Sequence, residues 1–255
     1  MVPELTFRMF LIVCPMLFLA GFVDSIAGGG GLISLPAYLF AGLPIHNCIA
    51  TNKLSSSCGT TLATARFIRN RLVSVKIAVP SVAAGIMGSI MGANLSFRIP
   101  EIILKRMLLV VLPVTALLVL NRRMFRDRAD DAGLTVRRTV LIAVLAAFVI
   151  GIYDGLYGPG TGTFLIIAFN VFAKMSVSRA NAHCKVINLT TNLSALVVFL
   201  LNGQVVVPLG IAAALFNMLG NYVGSGFAMK KGAVITKPLI LLVLVLLLIK
   251  ILQEM

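Results

Sequence analysis

The chain has 255 residues, of which 59% are hydrophobic and 12% are charged. Its mean hydropathy is +1.03, whereas an ordinary soluble domain carries about 25% charged residues, so a soluble globular protein and a disordered chain are both excluded. The 22 Lys and Arg against 8 Asp and Glu give a formal charge of +14, which fits cytoplasmic loops beside membrane spans better than nucleic-acid binding. The composition predicts an all-α polytopic integral membrane protein, with the lipid bilayer as its partner and no nucleic acid.

Hydropathy predicts eight full-length spans, because a spanning helix needs about 20 apolar residues. In chain order they are residues 7–27, 47–68, 75–97, 102–120, 139–157, 181–201, 205–229 and 237–252. Two shorter apolar pieces, 32–42 and 163–173, each follow a Gly-rich break. At 1.5 Å per residue they reach about 16 Å, half the hydrocarbon thickness, and are predicted to be half-helices.

The sequence contains an internal repeat. Four residues of the first half recur 130 positions later: Gly21, Asp24, Gly28 and Gly30 match Gly151, Asp154, Gly158 and Gly160. After a slip of two positions, Lys53 matches Lys185. The repeat predicts two homologous membrane halves, residues 1–120 and 139–255, joined by an Arg-rich linker at 121–138. Duplicated units with broken helices in corresponding positions are typical of secondary transporters.

Loop charge favours inverted halves. With Lys53 and Lys185 set aside, twenty Lys and Arg remain. If the first helix and half-helix of each half form a re-entrant hairpin, 5 of these residues lie on the side of the membrane that holds the N-terminus and 15 lie on the other side. If each half instead crosses the membrane four times, 12 lie on the N-terminal side and 8 on the other. The positive-inside rule favours the re-entrant arrangement, with both termini outside and the linker in the cytoplasm.

Four charged residues lie deep in the apolar pattern: Asp24, Lys53, Asp154 and Lys185. A charge at the bilayer centre costs roughly 2.5–3.5 kcal/mol on insertion scales, so these residues predict ion-pair partners or a water-filled cavity. The residues leave two interpretations open. The four form structural Asp–Lys salt bridges that lock the breaks, or the lysines neutralise a bound anion.

Each lysine lies on a polar stripe along one helical face. The first stripe contains Lys53, Ser56, Ser57, Thr60, Thr61 and Thr64, and the second contains Asn181, Lys185, Asn188 and Asn192. The half-helices that follow the Gly breaks would add unpaired N–H groups and the positive ends of their dipoles. Together these groups predict a set of donors suited to a small oxyanion.

The predicted substrate-binding residues are Lys53, Lys185, Asn52, Asn188, Gly30, Gly160, Thr161 and Thr163. Asp24 and Asp154 are expected either to hold the lysines or to carry a coupling proton. No metal site, cofactor or enzyme activity is predicted, because the four Cys and two His lack ligand spacing and no nucleophile–base group occurs. The Gly88-xxx-Gly92 and Gly220-xxx-Gly224 pairs predict close helix packing.

Two motifs resemble those of the sulfite exporter family (TauE/SafE, also called TSUP). The first is GFVDSIAGGGG at 21–31, followed by Thr51-Asn52-Lys53-Leu54; the second is Tyr153-Asp154-Gly155 with GPGTG at 158–162, followed by Lys185 and Asn188. The resemblance covers about residues 10–250. It implies an inner-membrane, multi-pass protein of two homologous halves that transports small anions, mostly sulfur-containing ones such as sulfite, thiosulfate and sulfonates.

The expected function is secondary transport of a small, sulfur-containing anion across the cytoplasmic membrane, with export as the expected direction. Two alternatives remain: a cation or metal pathway that uses Asp24 and Asp154 as ligands, and a non-transporting membrane sensor or assembly partner. The sulfur specificity follows from the resemblance alone. The exact substrate, the coupling ion and the oligomeric state are not predicted by the sequence.

Overall fold

The computed structural model describes residues 5–120 and 134–231, and the regular structure in these ranges is helical, as predicted. The helices are α1 (Phe7–Ala27), α2 (Gly31–Phe40), α3 (Ile45–Arg69), α4 (Val75–Ser96), α5 (Glu101–Leu120), α6 (Val136–Leu156), α7 (Thr161–Ile167, continued by a π-helical turn at Ala168–Phe172), α8 (Val177–Leu201) and α9 (Val207–Lys231). Most of the predicted linker and the predicted span at 237–252 lie outside the described residues. Helix α6 begins at Val136, within the predicted linker.

Five of the described helices are long and apolar enough to cross a membrane: α1, α4, α6, α8 and the Val207–Phe227 part of α9. Helix α3 has 25 residues but carries the polar stripe. The two predicted half-helices are the short apolar segments Gly31–Phe40 and Thr161–Phe172. The protein is therefore a multi-pass helical membrane protein.

Glycines in left-handed conformations form the two breaks. Gly28 ends α1 with φ +74°, and its N–H donates to the Asp24 carbonyl at 2.9 Å. In the second break Gly158 has φ +102° and Gly160 has φ +84°. Residues with a Cβ adopt these values only with strain, so the glycines end one helix and start the next within three or four residues.

The two halves are interleaved. Helix α1 packs along α9, and α6 packs along α4. A Cβ on Gly88 would lie 3.0 Å from the Ile152 nitrogen, and one on Gly220 would lie 2.8 Å from the Phe22 nitrogen. These contacts confirm that the small-residue pairs serve close helix packing.

Helices α3 and α8 run antiparallel at the centre. The Val206 N–H, just beyond the end of α8, donates to the Thr51 hydroxyl near the start of α3 at 3.0 Å. Reciprocally, the Ser74 N–H, beyond the end of α3, donates to His183 Nε2 near the start of α8 at 3.2 Å. These bonds bring the two polar stripes to the same part of the fold.

Candidate functional site

The four charges in the apolar pattern form two ion pairs that cross between the halves. The Lys53 ammonium lies 2.9 Å from Asp154 Oδ1, and the Lys185 ammonium lies 2.6 Å from Asp24 Oδ2. Both lysines are buried, with exposed fractions of 1% and 0%. Each lysine therefore meets the aspartate that precedes the break of the other half.

Residues of the second half satisfy the carbonyl groups at the C-terminal end of α1. Lys185 Nζ donates to the Asp24 carbonyl at 2.5 Å, and Asn181 Nδ2 lies 3.1 Å from the Ser25 carbonyl and 3.3 Å from that of Ile26. The Thr163 hydroxyl donates to the Ala27 carbonyl at 3.1 Å. The last four carbonyls of a helix lack partners within the helix, and a cation is favourable at this end.

The two Gly breaks touch each other. A Cβ on Gly162 would lie 2.5 Å from Gly28 Cα, and one on Gly31 would lie 2.9 Å from Pro159 Cα. A Cβ on Gly158 would lie 3.1 Å from Lys53 Nζ. Side chains at these positions would separate the breaks or displace the Lys53 ion pair.

A small cavity of about 20 Å³ lies where the breaks and the polar stripes meet. It is lined by Asp24, Gly28, Gly31, Asn52, Lys53, Ser56, Asp154, Gly158, Thr161, Gly162, Asn188 and Asn192. A volume of this size holds about one water molecule. The lining combines one ammonium group, two carboxylates and several amide or hydroxyl groups.

Comparison with known proteins agrees with this arrangement of motifs. The sulfite exporter TauE/SafE family matches residues 13–251. The chain belongs to this family. It is 37% identical to "Probable membrane transporter protein ORF9" of Sinorhizobium sp, over 98% of this chain and 95% of that protein. It is 33% identical to "Probable membrane transporter protein YfcA" of Escherichia coli (strain K12), over 93% and 90% of the two chains.

A third relative is "Probable membrane transporter protein" of Haemophilus influenzae, 33% identical over 88% of this chain and 87% of that protein. No solved structure matches the chain. The protein is a multi-pass membrane transporter of the TauE/SafE family.

The structure brings part of the predicted site of this TauE/SafE-family member together. Six of the ten residues line the cavity: Lys53, Asn52, Asn188, Thr161, Asp24 and Asp154. The other four do not line it. Lys185 and Thr163 donate to the end of α1, Gly30 packs against the Asp24 side chain, and Gly160 packs against Thr115.

Six cavity residues were not among the predicted site residues: Gly28, Gly31, Ser56, Gly158, Gly162 and Asn192. Ser56 lies one helical turn from Asn52 and donates to its Oδ1 at 3.3 Å. Asn192 makes the same contact with Asn188, at 3.1 Å. The stripe spacing contained this signal, because residues four apart on a helix are neighbours.

The histidines and cysteines make structural contacts. His46 Nε2 lies 3.1 Å from the Ser96 carbonyl, and its Nδ1 lies 3.7 Å from Glu101. Cys48 and Cys184 are buried, and their thiols lie 3.3 Å from the carbonyls of Leu43 and Gly162. Within residues 5–120 and 134–231, no group of three or more His, Cys, Asp or Glu side chains is placed to hold a metal ion.

Proposed function

We propose that the protein is a secondary transporter that moves a small anion across the cytoplasmic membrane. The observation that carries this proposal is the placement of Lys53. Its ammonium group is buried in the interior of a membrane protein, yet Lys53 lines a cavity together with Asn52, Asn188 and Thr161. Ionisable groups at such depth mark substrate and ion pathways.

The chemistry of the lining suits an oxyanion. Lys53 supplies a compact positive charge, and Asn52 and Asn188 supply amide donors. Helix α2 begins at Gly31 on the same wall, so the positive end of its dipole faces the cavity. A sulfonate or sulfite group presents three oxygens that accept hydrogen bonds in several directions. The sulfur-containing substrate and the export direction rest on the family's description.

Transport requires the cavity to open, since about 20 Å³ is too small for a sulfonate. We infer that the halves are inverted and rock against each other around the breaks. The antiparallel course of α3 and α8 supports the inversion. The end of α2 lies beside the start of α1, because one groove is lined by Thr6 and Arg8 together with Phe40 and Gly42. This placement supports a re-entrant hairpin.

A cation or metal pathway is less well supported. Asp24 and Asp154, its expected ligands, each face a lysine ammonium at 2.6 Å and 2.9 Å. A cation would have to displace an ammonium group from each carboxylate, and it would then lie close to a second positive charge. An anion, by contrast, can bind the Lys53 ammonium group together with the amide groups that line the cavity.

Uptake of radiolabelled sulfite, thiosulfate and methanesulfonate into proteoliposomes tests the proposal, with a divalent cation as the comparison. Lys53→Met is expected to abolish anion flux. Lys76→Met, which removes an exposed lysine at the start of α4, is expected to preserve it. If the wild-type protein transports none of the three anions, the proposal is overturned and the sensor alternative is favoured. If Lys53→Met transports an anion at the full wild-type rate, Lys53 is not part of the site.

A further inference from the structure

The two ion pairs differ in how completely they are satisfied. Lys185 binds both the carboxylate and the carbonyl of Asp24. Lys53 contacts Asp154 through Oδ1 alone. Among the described residues, Asp154 Oδ2 is buried and has no hydrogen-bond partner, and the residue as a whole is 2% exposed.

The charges of the site sum to zero, because two lysines face two aspartates. An anion that binds at Lys53 takes the place of Asp154 opposite the ammonium group. If Asp154 stayed ionised, the anion and the Asp154 carboxylate would be two adjacent negative charges that share a single positive partner, the Lys53 ammonium group. Buried charges persist only when they are paired, so a further positive charge must arrive with the anion.

We propose that Asp154 takes up one proton on Oδ2 when the anion binds, so that the protein cotransports one anion with one proton. This inference rests on the proposed anion transport. The proton comes from water, Lys53 keeps its charge and binds the anion, and the neutral carboxyl group of Asp154 moves away from the ammonium. Release of the anion lets Asp154 ionise and pair with Lys53 again.

None of the titratable groups around Asp154 is a better proton acceptor than Asp154 itself when an anion binds. The charged and titratable neighbours are Lys53 of α3, Asp24 of α1, Cys184 and Lys185 of α8, and Tyr153 and Tyr157 at the end of α6. The thiol and the phenols are ordinarily neutral near pH 7. Lys185 stays paired with the Asp24 carboxylate through Oδ2, so the negative charge of Asp24 stays compensated when an anion occupies Lys53.

Cotransport determines which gradients drive the protein. A monovalent anion and a proton carry no net charge together, so their movement is insensitive to membrane potential. The direction follows the combined anion and proton gradients. Export against an inward proton gradient proceeds only under one condition. The anion concentration ratio, inside over outside, must exceed the proton concentration ratio, outside over inside.

Calorimetric titration of the full-length wild-type protein in detergent tests the inference. Methanesulfonate is the probe, because it carries a single negative charge and stays ionised near neutral pH, so any proton taken up belongs to the protein. Repeating the titration in buffers of different ionisation enthalpy gives the number of protons bound per anion. We expect one proton, and a Kd that tightens about tenfold for each unit by which the pH falls.

Asp154→Asn imitates the neutral carboxyl group, and it is expected to bind the anion with no proton uptake and a pH-independent Kd. Lys76→Met, which changes an exposed residue outside the site, is expected to keep the uptake of one proton. Anion binding by the wild type without proton uptake would overturn the inference while leaving anion transport intact. Absence of both anion binding and anion flux would overturn the proposed function itself. The wild-type measurement decides even if a variant does not fold.

Discussion

Lys185 binds Asp24 twice, through the carboxylate Oδ2 at 2.6 Å and through the main-chain carbonyl at 2.5 Å. Its counterpart in the repeat, Lys53, meets Asp154 once, at 2.9 Å, and lines the cavity. The two lysines therefore occupy different environments. Lys185 joins the second half to the end of α1, whereas Lys53 lines the cavity in which we propose that the substrate binds.

Lys185→Met is expected to destabilise the protein more than Lys53→Met. Removing one partner of a buried ion pair costs about 3–5 kcal/mol. Lys185 also donates to the Asp24 carbonyl, and this contact is lost as well, while the Gly28 N–H remains bonded to the same oxygen. Equilibrium unfolding in detergent measures the difference, with Lys76→Met as the exposed-lysine control. The prediction fails if Lys185→Met unfolds like the wild type, and adding Asp24→Asn should restore part of the lost stability.

Two asparagines on α8 are expected to separate stability from binding. Asn181 donates to the carbonyls of Ser25 and Ile26 and does not line the cavity. Asn181→Leu should lower the free energy of unfolding by about 1–3 kcal/mol, because it leaves buried carbonyls without a donor. Its Kd for methanesulfonate should stay within about twofold of the wild-type value, which corresponds to well under 1 kcal/mol.

Asn188 is the matched variant, since it lies two turns along the same helix and lines the cavity. Asn188→Leu removes a donor that we propose binds the substrate, and losing one hydrogen bond to a charged ligand costs about 1.5–3 kcal/mol, or more than tenfold in Kd. Its effect on unfolding should be smaller than that of Asn181→Leu. A reversed pattern in the two variants would show that the binding residues have been assigned to the wrong face of α8.

Local features of the chain were predictable from the sequence. Apolar runs of about 20 residues mark the spans, and glycine clusters at 28–31 and 158–162 mark the breaks, because both depend on neighbouring residues alone. The four intramembrane charges were recognisable for the same reason. Asp24 and Asp154 were expected to pair with lysines as one of two interpretations, and both do so.

The partners across the halves were not predictable from the sequence. The crossing of the ion pairs depends on the antiparallel course of α3 and α8, which is a tertiary property. Thr163 was predicted to be a substrate ligand because it begins a half-helix, but its hydroxyl donates to the Ala27 carbonyl. Periodicity identifies the face on which a residue lies, whereas the helix packed against that face decides what the side chain contacts.

Gly88→Ala is expected to destabilise the packing of α4 on α6. The added methyl group would lie 3.0 Å from the Ile152 nitrogen, closer than van der Waals contact allows, and overpacking costs about 1–3 kcal/mol. Ala83→Val enlarges an exposed residue on the same helix and should have little effect. The midpoint of thermal unfolding in detergent compares the two variants. Equal midpoints would mean that α4 and α6 are not in backbone contact.

The orientation of the halves can be tested at two matched asparagines. Asn70 follows α3 and Asn202 follows α8; both are exposed, and each donates from its side chain to the carbonyl four residues earlier, that of Arg66 or Val198. Because the two positions correspond in the repeat, inverted halves place them on opposite faces of the membrane. Halves of equal orientation place them on the same face.

Asn70→Cys and Asn202→Cys should therefore differ in labelling by a membrane-impermeant maleimide applied to intact cells. The positive-inside rule predicts that the end of α3 is cytoplasmic, so Asn70→Cys should react only after the cells are opened. Asn202→Cys should react from outside. The wild-type chain gives the background from its own cysteines, of which Cys58 is partly exposed. Equal labelling of the two variants in intact cells would contradict the inversion, and with it the rocking of one half against the other.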